Sequence, residues 1–301
     1  MVMKIFVTGV NGQLGHDVMN EIHKRGMEGV GSDITQSYAG MADETAVCSM
    51  PYVQMDITDA DAVDRILGGV RPEAVIHCAA YTAVDAAEEN EALCRRVNAD
   101  GPRNIAAVCR KLDIKMIYIS TDYVFDGTGE KPWEPDDKQA PVSVYGHTKY
   151  EGELAVQAQL EKYFIVRIAW VFGTNGKNFV KTMLALSEKY DTLRVVNDQF
   201  GSPTYTFDLS KLLVDMILTE KYGIYHATNE GICSWYDFAC AIFETAGIRM
   251  NVIPVTTAEY GAKAARPANS RMSKEKLTAN GFERLPDWQD ALKRYLQEIR
   301  G

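Results

Sequence analysis

The chain has 301 residues, of which 46% are hydrophobic and 24% charged. That is enough apolar material for one large core or two unequal ones, and too much for a single small module. Its 32 basic and 41 acidic residues leave a net charge of -9 with no basic block, which argues against nucleic acid or an anionic membrane surface as partner.

The N-terminal MVMKIFVTGV is strand-like and runs straight into a glycine turn, without the apolar core and cleavage site of a signal peptide. No run of about 18 apolar residues follows. Six cysteines occur without a C-x-x-C pair or a histidine cluster, so they read as small buried hydrophobes in a reducing compartment. A soluble, cytoplasmic protein is expected.

Short β-branched runs alternate with helical periodicity up to about residue 170. Strands are expected at Lys4–Thr8, Glu28–Asp33, Tyr52–Asp56, Ala74–Ala79, Met116–Ser120 and Phe164–Ile168. Gln13–Lys24 reads as the first helix, and Ala60–Leu67 as the second, opened by Thr58 with Asp61 and stopped by Gly68-Gly69. Asn90–Leu112 is a longer helical stretch with Gly101-Pro102 inside it, where a kink or a division into two helices is expected, and Gln36–Met50 is a loop. Further on come helices at Phe179–Tyr190, Asp208–Thr219, Ser234–Ala246 and Asp287–Ile299, with a strand at Leu193–Asn197. The pattern predicts an α/β fold, a Rossmann-type doubly wound parallel sheet with a smaller, partly interleaved C-terminal α/β substrate domain. Residues 1–169 and about 202–227 form the dinucleotide-binding part, and about 170–201 with 228–301 the substrate-binding part.

Gly9, Gly12 and Gly15 lie between the first strand and the first helix, where a dinucleotide pyrophosphate meets free backbone N–H groups and the helix dipole. The spacing is G-x-x-G-x-x-G, whereas the common fingerprint is G-x-G-x-x-G; a tight turn without ligand is the plain alternative. Asp33 ends the next strand, 21 positions after Gly12, where a carboxylate bonds ribose hydroxyls and repels a 2′-phosphate. It reads equally as a solvated strand end. Topology brings Asp56 and Ile57 beside the adenine, and Ala79, Ala80 and Tyr81 beneath the second ribose, although paired alanines are also ordinary core.

Tyr145 and Lys149, four apart at the start of a helix, project from one face. A cation beside a phenol favours the phenolate and makes Tyr145 a candidate general acid in a carbonyl reduction. Ser120, Thr121 and Asp122 end the fifth strand, so a hydroxyl of Ser120 or Thr121 reaches the same crevice, or caps a loop there.

These motifs form part of a wider set: TGVNGQLG (8–15), CAAYTAVDAAE (78–88), STDYVFDGTGEKPWEP (120–135), VYGHTKYEGE (144–153), RIAWVFG (167–173), NFVKTM (178–183), NDQFGSPT (197–204) and ARPANSRM (265–272). In them the chain resembles the extended short-chain dehydrogenase/reductase family and, within it, the dTDP-4-dehydrorhamnose reductase group. The resemblance implies a Thr121/Tyr145/Lys149 triad. Tyr145 would protonate the C4 oxygen of dTDP-4-dehydro-L-rhamnose while NADH or NADPH delivers hydride, giving dTDP-L-rhamnose. It implies cofactor contacts from the glycine turn (Gly9, Asn11, Gly12, Gln13, Leu14, Gly15), from Asp33, Asp56, Ile57, Ala79, Ala80 and Tyr81, and from Tyr145 and Lys149.

Substrate contacts are implied for Thr121, Asp122 and Trp170, the last suiting the apolar face of a deoxysugar or serving only as core. The diphosphate needs cations, for which Arg266, Arg271 and Lys177 beside Asn178 are the candidates by segment. Some members of the group carry magnesium at a carboxylate-lined dimer interface. Asp17 stands where they have a longer glutamate, so the ion is not supported, and both monomer and homodimer stay open. Related dehydratases carry T-D-E where this chain has Thr121-Asp122-Tyr123. A 4-epimerase shares the tyrosine and lysine, and the regulatory subunit of methionine adenosyltransferase resembles the group as a binding partner without catalysis.

Overall fold

β1 (Lys4–Thr8) is an interior strand of a seven-stranded parallel sheet, and its Ile5, Phe6 and Val7, which point to alternate faces, are all fully buried. The computed structural model describes residues 3–300. β2 (Glu28–Asp33) and β3 (Tyr52–Gln54) lie on one side of β1, and β4 (Ala74–His77), β5 (Lys115–Thr121), β6 (Tyr163–Ile168) and the edge strand Gly223–His226 on the other. Strand order therefore reverses between β1 and β4, whose carboxyl ends part to leave a crevice. The doubly wound architecture expected from the alternation is the one observed.

Helices cover both faces. Gln13–Lys24 and Thr206–Ile217 pack on the face of Ile5, Val7 and Ile117, while Ala60–Val70, Gly101–Leu112 and Val144–Gln157 cover Phe6, Val75 and Met116. A third core gathers Phe172, Tyr205, Phe238, Trp288 and Tyr295 beneath helices Phe179–Ser187, Trp235–Ala246 and Trp288–Glu298. Beside it Thr192–Val196 pairs in parallel with Asn251–Val255. Among the described residues no helix is long and apolar enough to cross a membrane.

Several local expectations need correction. The second helix runs through Gly68-Gly69 to Val70 and ends on Arg71 at φ 48°. Glycine costs about 1 kcal/mol in a helix, too little to stop one whose next residue, Val70, packs on the core. Its cap is Asp59, accepting from the Ala62 N–H at 3.0 Å, whereas the Thr58 hydroxyl is engaged by Asp56 at 2.8 Å. Of the two readings for residues 90–112, two helices are found in place of a kinked one: a π turn, Arg96–Asp100, separates Glu91–Arg95 from Gly101–Leu112. Pro102 has no N–H to offer the Asn98 carbonyl, which accepts instead from the Tyr118 hydroxyl at 3.2 Å. All six cysteines are free thiols, but only Cys94, Cys109 and Cys233 are buried; Cys48 is exposed.

Candidate active site

A cleft of about 940 Å³ opens along the carboxyl ends of the strands. Gly9, Asn11, Gly12, Gln13, Leu14, Gly15, Asp33, Asp56, Ile57, Ala79, Ala80 and Tyr81 line one part of it, and Thr121, Asp122, Tyr145, Lys149 and Trp170 the other. The glycine spacing has a reason in the chain itself. Gly9 sits at φ 73°, and a Cβ there would lie 2.6 Å from the Ala79 nitrogen; one on Gly15 would lie 2.3 Å from the Gly9 oxygen. With side chains excluded, β1 turns close against the end of β4 and delivers the start of helix Gln13–Lys24 to the cleft. No side chain caps that helix and no acid stands in its first turn, so its N-terminal N–H groups and dipole suit an anionic diphosphate.

Supports come from remote segments. Asn175 donates to the carbonyls of Asn11 at 2.9 Å and Gly12 at 3.1 Å. Asp33 accepts from the N–H groups of Asn11 at 3.0 Å and Ile34 at 2.8 Å, which aims its carboxylate along the rim. Asn98, inside the π turn, accepts from the Tyr81 N–H at 2.8 Å and donates to the Tyr81 carbonyl at 3.0 Å, holding the Ala79–Ala80–Tyr81 backbone in place. Neither asparagine was visible as a site residue in the sequence. A π turn at a functional site is the one local signal, and only the missing Pro102 N–H hints at it.

Ser143 caps the helix Val144–Gln157 by accepting from the Gly146 N–H at 3.2 Å, so Tyr145 and Lys149 enter the cleft one turn apart. Lys149 is buried, donates to the Ile119 carbonyl at 2.6 Å and stands 4.1 Å over the Tyr118 ring. Burial brings its ammonium down to about 7, against the pull of the Glu153 carboxylate. Burial pushes the Tyr145 phenol up, with the Thr121 hydroxyl the opposing influence. The shift favours the protonated phenol, the form from which a general acid starts.

The choice between two hydroxyls is resolved by a buried ion pair. Glu153 accepts from Arg167 at 2.8 and 2.7 Å, and the Ser120 hydroxyl donates to the same carboxylate. Ser120 is thereby occupied, and Thr121 is the hydroxyl beside Tyr145. Next to it Asp122 is buried, which raises its carboxyl to about 6.

On the far wall Trp170 adopts φ 51° and stacks on Trp235 with ring centroids 3.7 Å apart. Trp235 also lines the cleft; it stands 65 residues further along the chain, and nothing local marks it. Lys177 is exposed on the rim.

Three expected substrate residues are not brought to the cleft wall. Asn178 is buried, donating to Gln13, the Gly173 carbonyl and the Tyr295 hydroxyl while capping Phe179–Ser187. Arg266 forms a bidentate pair with Asp85 at 3.0 and 2.6 Å. Arg271 donates to Asn269 at 3.0 Å and lies over the Phe200 ring. Asp17 is buried with its carboxyl raised to about 7, and does not offer the exposed carboxylate that an interfacial cation needs.

The family model for the RmlD substrate binding domain matches residues 3–300. The chain belongs to this family. It is 38% identical over 295 residues to the spore coat polysaccharide biosynthesis protein SpsK of Bacillus subtilis, covering 98% of this chain and 97% of that one. It is 38% identical over 257 residues to the dTDP-4-dehydrorhamnose reductase of Escherichia coli, covering 81% and 85%. The crystal structure of the Bacillus anthracis dTDP-4-dehydrorhamnose reductase in complex with NADP superposes with a TM-score of 0.91 at 40% identity, over 99% of this chain and 100% of that one. The resemblance read from the motifs holds along the whole RmlD-family chain.

Proposed function

We infer that this protein is an NAD(P)H-dependent dTDP-4-dehydrorhamnose reductase, reducing the C4 keto group of dTDP-4-dehydro-L-rhamnose to give dTDP-L-rhamnose. The observation that carries this reading is the half-buried Tyr145 beside Thr121, one helical turn from the buried Lys149, in a cleft that also holds an uncapped helix start. Family membership and the named reductases among the relatives support it.

When bound, the reduced nicotinamide supplies a hydride to the sugar C4. Thr121 hydrogen-bonds the carbonyl oxygen and keeps it next to the Tyr145 hydroxyl. As negative charge builds on that oxygen, Tyr145 transfers its phenolic proton to it, and the Lys149 ammonium steadies the phenolate that remains. The N-terminal amides of Gln13–Lys24 take the cofactor diphosphate, and Asp33 the adenosine ribose. The stacked Trp170 and Trp235 form an apolar wall for the deoxysugar, and Lys177 is the rim cation for the substrate diphosphate. Residues 1–169 with about 202–227 bind the dinucleotide, and the remainder carries the sugar nucleotide. Six free thiols suit the cytoplasm. Tyr123 at the place of a second carboxylate favours reduction over dehydration.

The test is to mix the purified protein with dTDP-4-dehydro-L-rhamnose and either NADH or NADPH and follow cofactor absorbance. One equivalent of cofactor is expected to be oxidised per equivalent of sugar. No oxidation with either cofactor refutes the reading, and retention of cofactor with interconversion of sugars indicates an epimerase.

A further inference from the structure

Asn175 lies in the stretch that leads into helix Phe179–Ser187, on the substrate side of the cleft, yet its amide is turned toward the glycine turn. Its Nδ2 donates to the Asn11 and Gly12 carbonyls, 164 and 163 positions away, while Oδ1 accepts from the Met41 N–H at 3.0 Å. An N–H facing the oxygen fixes which end of the amide meets the two carbonyls. Asn175 is 3% exposed, and its stretch is pinned from behind. Asn178 donates to the Gly173 carbonyl at 2.8 Å and to Gln13 Oε1 at 3.0 Å, and Lys181 donates to the Gly176 carbonyl at 3.0 Å. Gly40 permits the close fit, since a Cβ there would lie 2.2 Å from the Tyr38 hydroxyl and 2.8 Å from Asn175 Nδ2. Gly176 and Lys177 line the cleft, whereas Asn175 stands behind the turn with both amide hydrogens and its oxygen engaged.

We propose that Asn175 is a positioning residue for the dinucleotide: through the Asn11 and Gly12 peptides it sets the aim and the donor strength of the Gln13 N–H offered to the cofactor diphosphate. The proposal rests on the cofactor-dependent reading above. A peptide's carbonyl and N–H are conjugated, so a bond donated to the carbonyl polarises the N–H at the other end. The Gly12 carbonyl and the Gln13 N–H share one peptide, and Gln13 opens the helix, where its N–H has no partner within the helix. That carbonyl already accepts from the His16 N–H at 3.2 Å, and Asn175 takes its second lone pair. The Asn11 carbonyl and the Gly12 N–H share the preceding peptide, whose N–H donates back to the Gly9 carbonyl at 3.0 Å. One side chain thus holds two successive peptides, and the turn has its binding shape before the cofactor arrives. A residue from the substrate-binding part thereby serves the cofactor.

The experiment measures binding of NADH and NADPH by cofactor fluorescence in wild type, Asn175→Ala, Asn175→Ser and Asn175→Asp, with ADP and adenosine as displacing probes. Asn175→Ala should weaken the dinucleotides and ADP about tenfold, the scale of two lost hydrogen bonds. Adenosine, which lacks the diphosphate, should stay within about threefold. In turnover the loss should appear in KM for the cofactor, with kcat within about threefold of wild type. Asn175→Ser, the milder change for folding, should lose about threefold to tenfold in dinucleotide affinity. Asn175→Asp keeps an acceptor for the Met41 N–H but, ionised, has no proton to donate. It should lose at least as much as Asn175→Ala, which assigns the loss to the turn and not to the loop that carries Met41. Unchanged dinucleotide affinity in Asn175→Ala and Asn175→Ser, wild-type affinity in Asn175→Asp, or an equal loss for ADP and adenosine overturns the proposal. If wild type binds a dinucleotide but leaves dTDP-4-dehydro-L-rhamnose unreduced, the reductase reading falls and the role of Asn175 stands; if it binds neither dinucleotide, both fall.

Discussion

Glu153→Gln tests how the buried frame behind the site sets both stability and charge. Glu153 and Arg167 are each 0% exposed and joined by two hydrogen bonds, with Ser120 on the carboxylate and the Pro135 carbonyl on the guanidinium. Glutamine keeps the volume and leaves Arg167 charged without a counter-ion, a change that costs about 3–5 kcal/mol. With an unfolding entropy of about 2.1 cal/mol/K per residue, a chain of 301 residues loses roughly 5–8 °C in Tm. Calorimetry at neutral pH reads this directly. The same carboxylate is the largest charge opposing burial at Lys149, whose ammonium stands at about 7. Removing it lowers that value further, so Lys149 loses its proton at lower pH, and the alkaline limb of the rate profile moves to lower pH. A Glu153→Met/Arg167→Met double variant should recover most of the stability but not the limb. A Tm loss under about 2 °C for Glu153→Gln, or an alkaline limb that stays in place, refutes the assignment of Glu153 to both roles.

Tyr145→Phe preserves the ring and its edge contact with Tyr123, centroids 5.3 Å apart, so the loss should be chemical: kcat at least about 100-fold lower with cofactor affinity kept. Near-normal turnover would show that another group donates the proton. Asp33 stands on the rim between Ser32 and Ile34 with no cation adjacent in sequence to greet a 2′-phosphate, so NADH should outperform NADPH in kcat/KM. Asp33→Ser should raise the NADPH-to-NADH ratio by about tenfold, the scale of one removed repulsion; an unchanged ratio would show that Asp33 does not select the cofactor.

What could be read along the chain was whatever depends on near neighbours. The first helix is Gln13–Lys24 as expected, because the glycine turn before it and the periodic Leu14, Val18 and Ile22 after it are local. Tyr145 and Lys149 share a face for the same reason, and the acid that ends β2 faces the glycine turn because parallel strands present their ends together. Family motifs added roles to residues already placed.

Whether a polar side chain is free or engaged was decided only by the fold. Arg266 is taken by Asp85 across 181 positions, Asn178 by Tyr295 across 117, and Asp122 by Ser270 across 148. Ser120 and Thr121 are adjacent and equally hydroxylated, yet the pleat turns one toward the buried Glu153 and leaves the other with Tyr145. Trp235 and Asn98 join the site for the same reason. A hydrogen bond or a stacked ring needs its partner within a few ångströms in space, and sequence order does not limit which residue that partner is.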